Sequence, residues 1–96
     1  MKASEWIDRA KSVKHWDSDY RTAKELGITR GGISQIRTGS TPTLSEETCV
    51  KVSEALGIDP IIILADQAME RSKSDSAKKA WASALEKLGG GSLYIM

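Results

Sequence analysis

The run Arg30-Gly31-Gly32-Ile33-Ser34-Gln35-Ile36-Arg37 gathers side chains that can read a hydrogen-bonding surface. Ile33 and Ile36 lie three apart and mark an inward helical face, leaving Arg30, Gly31, Gly32, Ser34, Gln35 and Arg37 on the outward one. That outward face carries no acidic and no large apolar side chain. An arginine donates two hydrogen bonds to guanine, and a glutamine can engage adenine in the same two-point way. Each such pair is worth roughly 1–3 kcal/mol of discrimination. Such a face suits the major groove of double-stranded DNA. Arg37 and Lys24 would neutralise phosphates and make binding sensitive to salt.

Other chemistries find little in the chain. The single cysteine, Cys49, rules out an internal disulfide and a multi-cysteine zinc site, and its place on an apolar helical stripe reads as a small buried hydrophobe. His15 stands alone, so no metal site and no cofactor is expected. Ser4 and Ser18 read as helix caps rather than nucleophiles, and Trp6 and Trp16 as packing residues. Gly89-Gly90-Gly91 precedes neither a lysine nor a helix and is no phosphate cradle. With no nucleophile elbow or metal-ligand helix either, the chain is not expected to be an enzyme.

The elements that must position the polar face are short helices with strong punctuation. Trp6, Ala10 and Val13, with Ile7 beside them, give a first helix over about residues 4 to 14. Asp17 or Ser18 can cap the second, about 18 to 26, in which Tyr20, Ala23 and Leu26 line one face and Gly27 follows. Thr29 caps the third, about 29 to 38, which Gly39 stops. The link around Gly27-Ile28 is so short that the two helices must cross steeply, and small Ala23 permits close approach. Thr43 and Glu46 have capping-box spacing ahead of a fourth helix with the stripe Cys49, Val52 and Leu56, ended by Gly57. Asp59-Pro60 opens a fifth helix. Arg71 to Ser76 reads as a turn, and a last helix covers about 76 to 88. Sustained alternation is missing, so the fold class is all-α, with five to six short helices.

Residues Asp19 to Gly39 resemble the helix-turn-helix of the lambda-repressor-like family, of the Cro or XRE type. Ala23, Leu26-Gly27-Ile28-Thr29, Ile33-Ser34, Ile36 and Gly39 carry the likeness, and Val52-Ser53-Glu54-Ala55-Leu56-Gly57-Ile58 is similar to that family's fourth helix. The likeness covers about residues 4 to 65. The small size, with an extra C-terminal helix in place of a large domain, resembles repressors of temperate and filamentous phages. The resemblance implies that Thr29 and Arg30 open the recognition helix and that Gly31, Gly32 and Gln35 face the groove, with Ser34 beside them. It places Lys24, Arg37, Thr38, Ser40 and Thr41 where contacts to the DNA backbone fall. Three departures stand out. Asp19 occupies a position where many relatives carry a phosphate-touching glutamine, and it can instead cap its helix. Arg37 replaces a commonly acidic residue and adds positive charge. Gly31-Gly32 costs roughly 1 kcal/mol per residue against alanine. The pair either lets the backbone approach the bases closely or marks a weak reader.

At 96 residues and net charge +1, the chain has room for one small domain. Residues 1 to 37 hold eight basic side chains (Lys2, Arg9, Lys11, Lys14, Arg21, Lys24, Arg30, Arg37) against five acidic ones (Glu5, Asp8, Asp17, Asp19, Glu25), a surplus of +3; the remainder carries −2. No apolar run approaches the ~18 residues of a membrane span, and no signal peptide opens the chain, so a cytoplasmic, nucleoid-associated protein of a bacterial host is expected. The division expected is residues 1–72 as the DNA-binding domain, with the helix-turn-helix at 18–38; 73–89 as a dimerisation helix; and 90–96 as an apolar tail. The stripe of Trp81 can pack within the domain or on a second subunit. The wide apolar face of helix five favours self-association through Ile61, Ile62, Leu64, Ala65, Met69, Trp81, Leu85 and Leu88. A homodimeric repressor on a palindromic operator is the first reading, since a symmetric dimer reads two half-sites one DNA turn apart. The alternative is an antitoxin or anti-repressor that uses the same fold to bind a protein partner.

Overall fold

The computed structural model describes residues 1–89, which form six α-helices and, among the described residues, no strand. They are α1 (Ala3–Val13), α2 (Asp19–Leu26), α3 (Arg30–Thr38), α4 (Glu46–Leu56), α5 (Pro60–Arg71) and α6 (Asp75–Lys87). The expected tail, 90–96, lies outside the described residues. Short oxygen side chains start five of the six helices by accepting first-turn backbone N–H groups: Ser18 from Arg21, Thr29 from Gly32, Ser45 from Thr48, Asp59 from Ile61 and Ser74 from Ala77. Ser18 rather than Asp17 thus caps α2. Two other expected caps are overturned. Ser4 lies inside the first turn of α1, where the Lys2 N–H donates to the Glu5 carboxylate at 3.3 Å. Thr43 does not cap α4, because Leu44 is drawn into the core, 2% exposed, and leaves Ser45 to start the helix.

Trp6, Ile7 and Ala10 of α1 meet Ala23 and Leu26 of α2, Ile33 and Ile36 of α3, Leu44 of the α3–α4 loop, Cys49 and Val52 of α4, and Ile63 of α5 in the main core. Burial pushes the Cys49 thiol up to about 11, in keeping with an inert packing residue. Two expected core residues stand in solvent instead: Val13 at 55% exposure and Tyr20 at 65%. After α1 the chain reverses at His15, which is in the left-handed region at φ 57°, and the Trp16 N–H returns to the Lys11 carbonyl at 3.0 Å. Trp16 therefore folds back on the core, while Val13 stays in solvent. Tyr20 fails for a geometric reason. Steps of three residues drift backward by about 60° each, so Tyr20 and Leu26 lie about 120° apart around α2. Thr22, buried with its hydroxyl on the Ser18 carbonyl at 2.8 Å, takes the inward position.

A buried polar cluster that the sequence pattern conceals holds α5 against α1. Asp66 and Gln67 are fully buried. The Asp66 carboxylate accepts from the Trp6 indole N–H at 2.7 Å, from the Gln67 amide at 3.0 Å and from the Met1 α-ammonium at 2.9 Å. The ammonium also pairs with Glu70 at 2.8 Å. Burial opposes its charge, but the hydrogen bonds to Glu70 and Asp66 outweigh that and raise its pKa. Gln67 donates to the Met1 carbonyl at 2.9 Å and accepts from the Leu44 N–H at 2.7 Å, which fastens the α3–α4 loop.

The helix-five face expected to bind a second subunit is largely covered within the chain. Ile62 and Ala65 of α5 pack on Leu85 of α6 in a second cluster, with Ile58 and Met69 at its edge. Leu64 packs against the main core. Of the residues expected at a dimer contact, Ile62, Ala65 and Leu85 are therefore buried already. Ile61, Trp81 and Leu88 remain exposed, at 41%, 38% and 44%. The physical reason is the tight turn at residues 72–74, which lays α6 back along α5.

Candidate nucleic-acid interface

The α2–turn–α3 unit is built by two local devices. Gly27 adopts φ 70°, which lets the Ile28 N–H reach the Ala23 carbonyl at 2.8 Å and closes α2. Two residues later the Thr29 hydroxyl accepts the Gly32 N–H at 2.9 Å and opens α3. Ile33 and Ile36 then anchor α3 in the core, and the opposite side of the helix faces solvent.

At 100° per residue, Gly31 points about 170° away from the mean direction of Ile33 and Ile36, so it sits at the centre of the outward face. Ser34 and Gln35 flank it, both exposed. The two glycines part company here. A Cβ on Gly31 would meet nothing within 4 Å, whereas one on Gly32 would lie 2.9 Å from Thr29 Oγ1 and 3.0 Å from Ile28 Cγ2. Gly32 is thus turned toward its own cap and serves the turn, which corrects its expected place facing a groove. Gly31 has no such internal reason to be glycine.

Gln35 stands at the head of the hydroxyl-rich loop after α3. Its backbone carbonyl accepts from the Thr41 N–H at 3.1 Å and from the Thr38 hydroxyl at 3.2 Å. Its side-chain Oε1 accepts from the Thr41 hydroxyl at 3.3 Å, which leaves the amide NH2 to donate outward. Thr38 Oγ1 and Ser40 Oγ lie 3.2 Å apart, both exposed.

Arg30 and Arg37 lie two turns apart on the edge of α3 that faces the first turn of α2, and they meet different partners. Arg37 donates to Asp19 at 2.9 Å through Nε and again through Nη2, and to Asp8 of α1 at 2.7 Å. Lys11 joins at 3.1 Å from Asp19. The Arg37 guanidinium and, next to it, Lys11 hold the Asp19 carboxyl down to about 2, and the two carboxylates raise the Arg37 pKa further. This cluster of two cations and two anions staples α1, α2 and α3 together and is electrically balanced. Arg37 is therefore engaged as a strut of the fold through Nε and Nη2, which its expected phosphate contact did not foresee. Asp19 serves as its partner rather than as a helix cap. The two departures from the family pattern are opposite in sign and pair with each other, the one signal by which the staple was legible. Arg30, by contrast, lies over the Tyr20 ring, 5.8 Å from its centroid, with no carboxylate partner among the described residues. Lys24 is exposed and likewise has none. An open cleft of about 800 Å³ runs between α2 and α3, with Ala23, Ile28 and Ile33 among its lining and Tyr20, Lys24 and Arg30 around them.

Short capped helices crossing at a glycine turn, with the second presenting a polar face, define a DNA-binding helix-turn-helix. Residues 18–63 match the family model described as Helix-turn-helix, so this segment is of the Cro/C1 (XRE) type. No significant match was found among curated proteins or among solved structures. Outside the matched segment lie α1, most of α5 and α6. No helix among the described residues is long and apolar enough to cross a membrane.

Proposed function

We propose that the chain is a sequence-specific repressor of the small phage type that binds a palindromic operator as a homodimer. The observation that carries this reading is the outward face of α3. Arg30, Ser34 and Gln35 surround a bare stretch of backbone at Gly31, with no acidic side chain on that face. Arg30 is the residue for guanine and Gln35 the one for adenine. Lys24, Thr38, Ser40 and Thr41 are the residues for the phosphates on either side. Bound protein would then exclude polymerase by occupancy, and control would come from concentration, a partner or competition at operators. The exposed Ile61, Trp81 and Leu88 support a contact between copies that is smaller than the full face of α5.

Selection of bound sequences from random DNA tests this directly. A symmetric consensus with half-sites one helical turn apart is the expected result. Arg30→Ala and Gln35→Ala should each relax preference at one base position. Unchanged affinity and unchanged preference in both variants would overturn the assignment of α3. The antitoxin-like alternative draws on the same exposed apolar residues. It is favoured if light scattering finds a monomer that binds no DNA and co-purifies stoichiometrically with another protein.

A further inference from the structure

We propose that Tyr20 is a specificity-determining positioning residue: its ring holds the Arg30 guanidinium in the attitude in which Arg30 reads a base. This rests on the DNA-binding reading of α3 given above. Tyr20 lies in the first turn of α2 and is 65% exposed, an unusual place for an aromatic ring with nothing to cover. The Arg30 guanidinium lies over its ring, 5.8 Å from the centroid. Arg30 is the first residue of α3 and is followed by two glycines, so no neighbouring side chain at 31 or 32 restrains it. An unrestrained arginine side chain has many rotamers, and ordering it on DNA opposes binding.

Two successive residues of α2 sort the two arginines on one edge of α3. Asp19 takes Arg37 and, with Asp8, occupies its Nε and Nη2 donors. Tyr20 takes Arg30 through its ring and engages none of its N–H donors in a hydrogen bond. A cation held over an aromatic ring keeps its charge, and its in-plane N–H groups remain available. The donors that guanine O6 and N7 require are thus left open while the group is held in place. A carboxylate at position 20 would hold Arg30 as well but would spend those donors.

The experiment measures binding of wild type, Tyr20→Ala, Tyr20→Phe, Arg30→Ala and the Tyr20→Ala/Arg30→Ala double variant. Two duplexes are used: the site selected by wild type, and that site with the one base pair read by Arg30 exchanged. Tyr20→Ala should lose about three- to fivefold on the selected site and nothing on the exchanged one. Tyr20→Phe, which keeps the ring, should bind as wild type. The double variant should be no weaker than Arg30→Ala alone. In the free protein, an upfield ring-current shift of the Arg30 Hδ protons should vanish in Tyr20→Ala and persist in Tyr20→Phe.

Equal losses on both duplexes, or a loss in Tyr20→Phe, would overturn the proposal and make the tyrosine a general or hydroxyl-mediated DNA contact. A selected site that tolerates Tyr20→Ala refutes this role alone. Failure of wild type to select any site refutes both this role and the repressor reading.

Discussion

The contrast between Gly31 and Gly32 yields a prediction whose sign differs between two adjacent, chemically identical substitutions. Glycine in a helix interior costs about 1 kcal/mol against alanine, because the unfolded chain loses more freedom at glycine. Both residues lie in α3 and neither has a positive φ, so both substitutions collect that gain. At Gly31 nothing lies within 4 Å of the new Cβ, and the gain is kept. Gly31→Ala should raise stability by about 1 kcal/mol, or about 4–8 °C in Tm. At Gly32 the new Cβ would come within 2.9 Å of Thr29 Oγ1 and 3.0 Å of Ile28 Cγ2. Shifting that hydroxyl weakens a helix cap worth about 1 kcal/mol, and crowding Ile28 costs at least about 1 kcal/mol more. Gly32→Ala should therefore be less stable than Gly31→Ala by about 2 kcal/mol. Urea denaturation of the three proteins, with equal slopes required, measures the difference. Equal shifts for the two variants would refute the steric reasoning. The same proteins test function. A methyl group at the centre of the outward face should lower DNA affinity about tenfold, or 1.4 kcal/mol, if the backbone approaches the bases there. Full affinity in Gly31→Ala would refute close approach and leave the glycine as the mark of a weak reader.

Three further outcomes are expected. The Asp19 carboxyl has its folded pKa lowered from 3.8 to about 2, so its contribution is present above pH 3.8 and is lost as pH falls toward 2; the side chain is 39% exposed, so after screening this amounts to about 1 kcal/mol. Acid denaturation of Asp19→Asn should lack that part of the transition, and an unchanged profile would show that the staple contributes nothing to stability. Asp66→Ala leaves the Trp6 indole N–H and the Met1 ammonium without this buried acceptor, and should cost about 3 kcal/mol by denaturant titration. Lys24→Ala should weaken binding alike on all DNA sequences and reduce the slope of log K against log salt by about 1, read by fluorescence anisotropy across salt concentrations; a sequence-dependent loss would move Lys24 from phosphate to base contact.

The reach of the sequence is clearest at the reading unit itself. Thr29, Gly27 and Gly39 act over five residues or fewer, through caps and a left-handed turn, and spacing along the chain reports such interactions directly. The number of helices, their order and the outward position of Arg30, Ser34 and Gln35 follow from the same local rules. Three decisions needed the packed structure, because each depends on atoms far apart in sequence. Arg37 reads in the sequence as a free cation, and only the fold brings Asp8 and Asp19 to it from two other helices. Asp66 and Gln67 are polar residues within an apolar helix, and only the fold makes Trp6, Met1 and Leu44 converge on them. The broad face of α5 invited a second subunit until the turn at 72–74 folded α6 over most of it. Hydrophobic periodicity states how much surface a helix must bury and which side bears it. It does not state what covers that surface or which opposite charges meet, since burial is non-directional and ion pairs form wherever the fold places their partners.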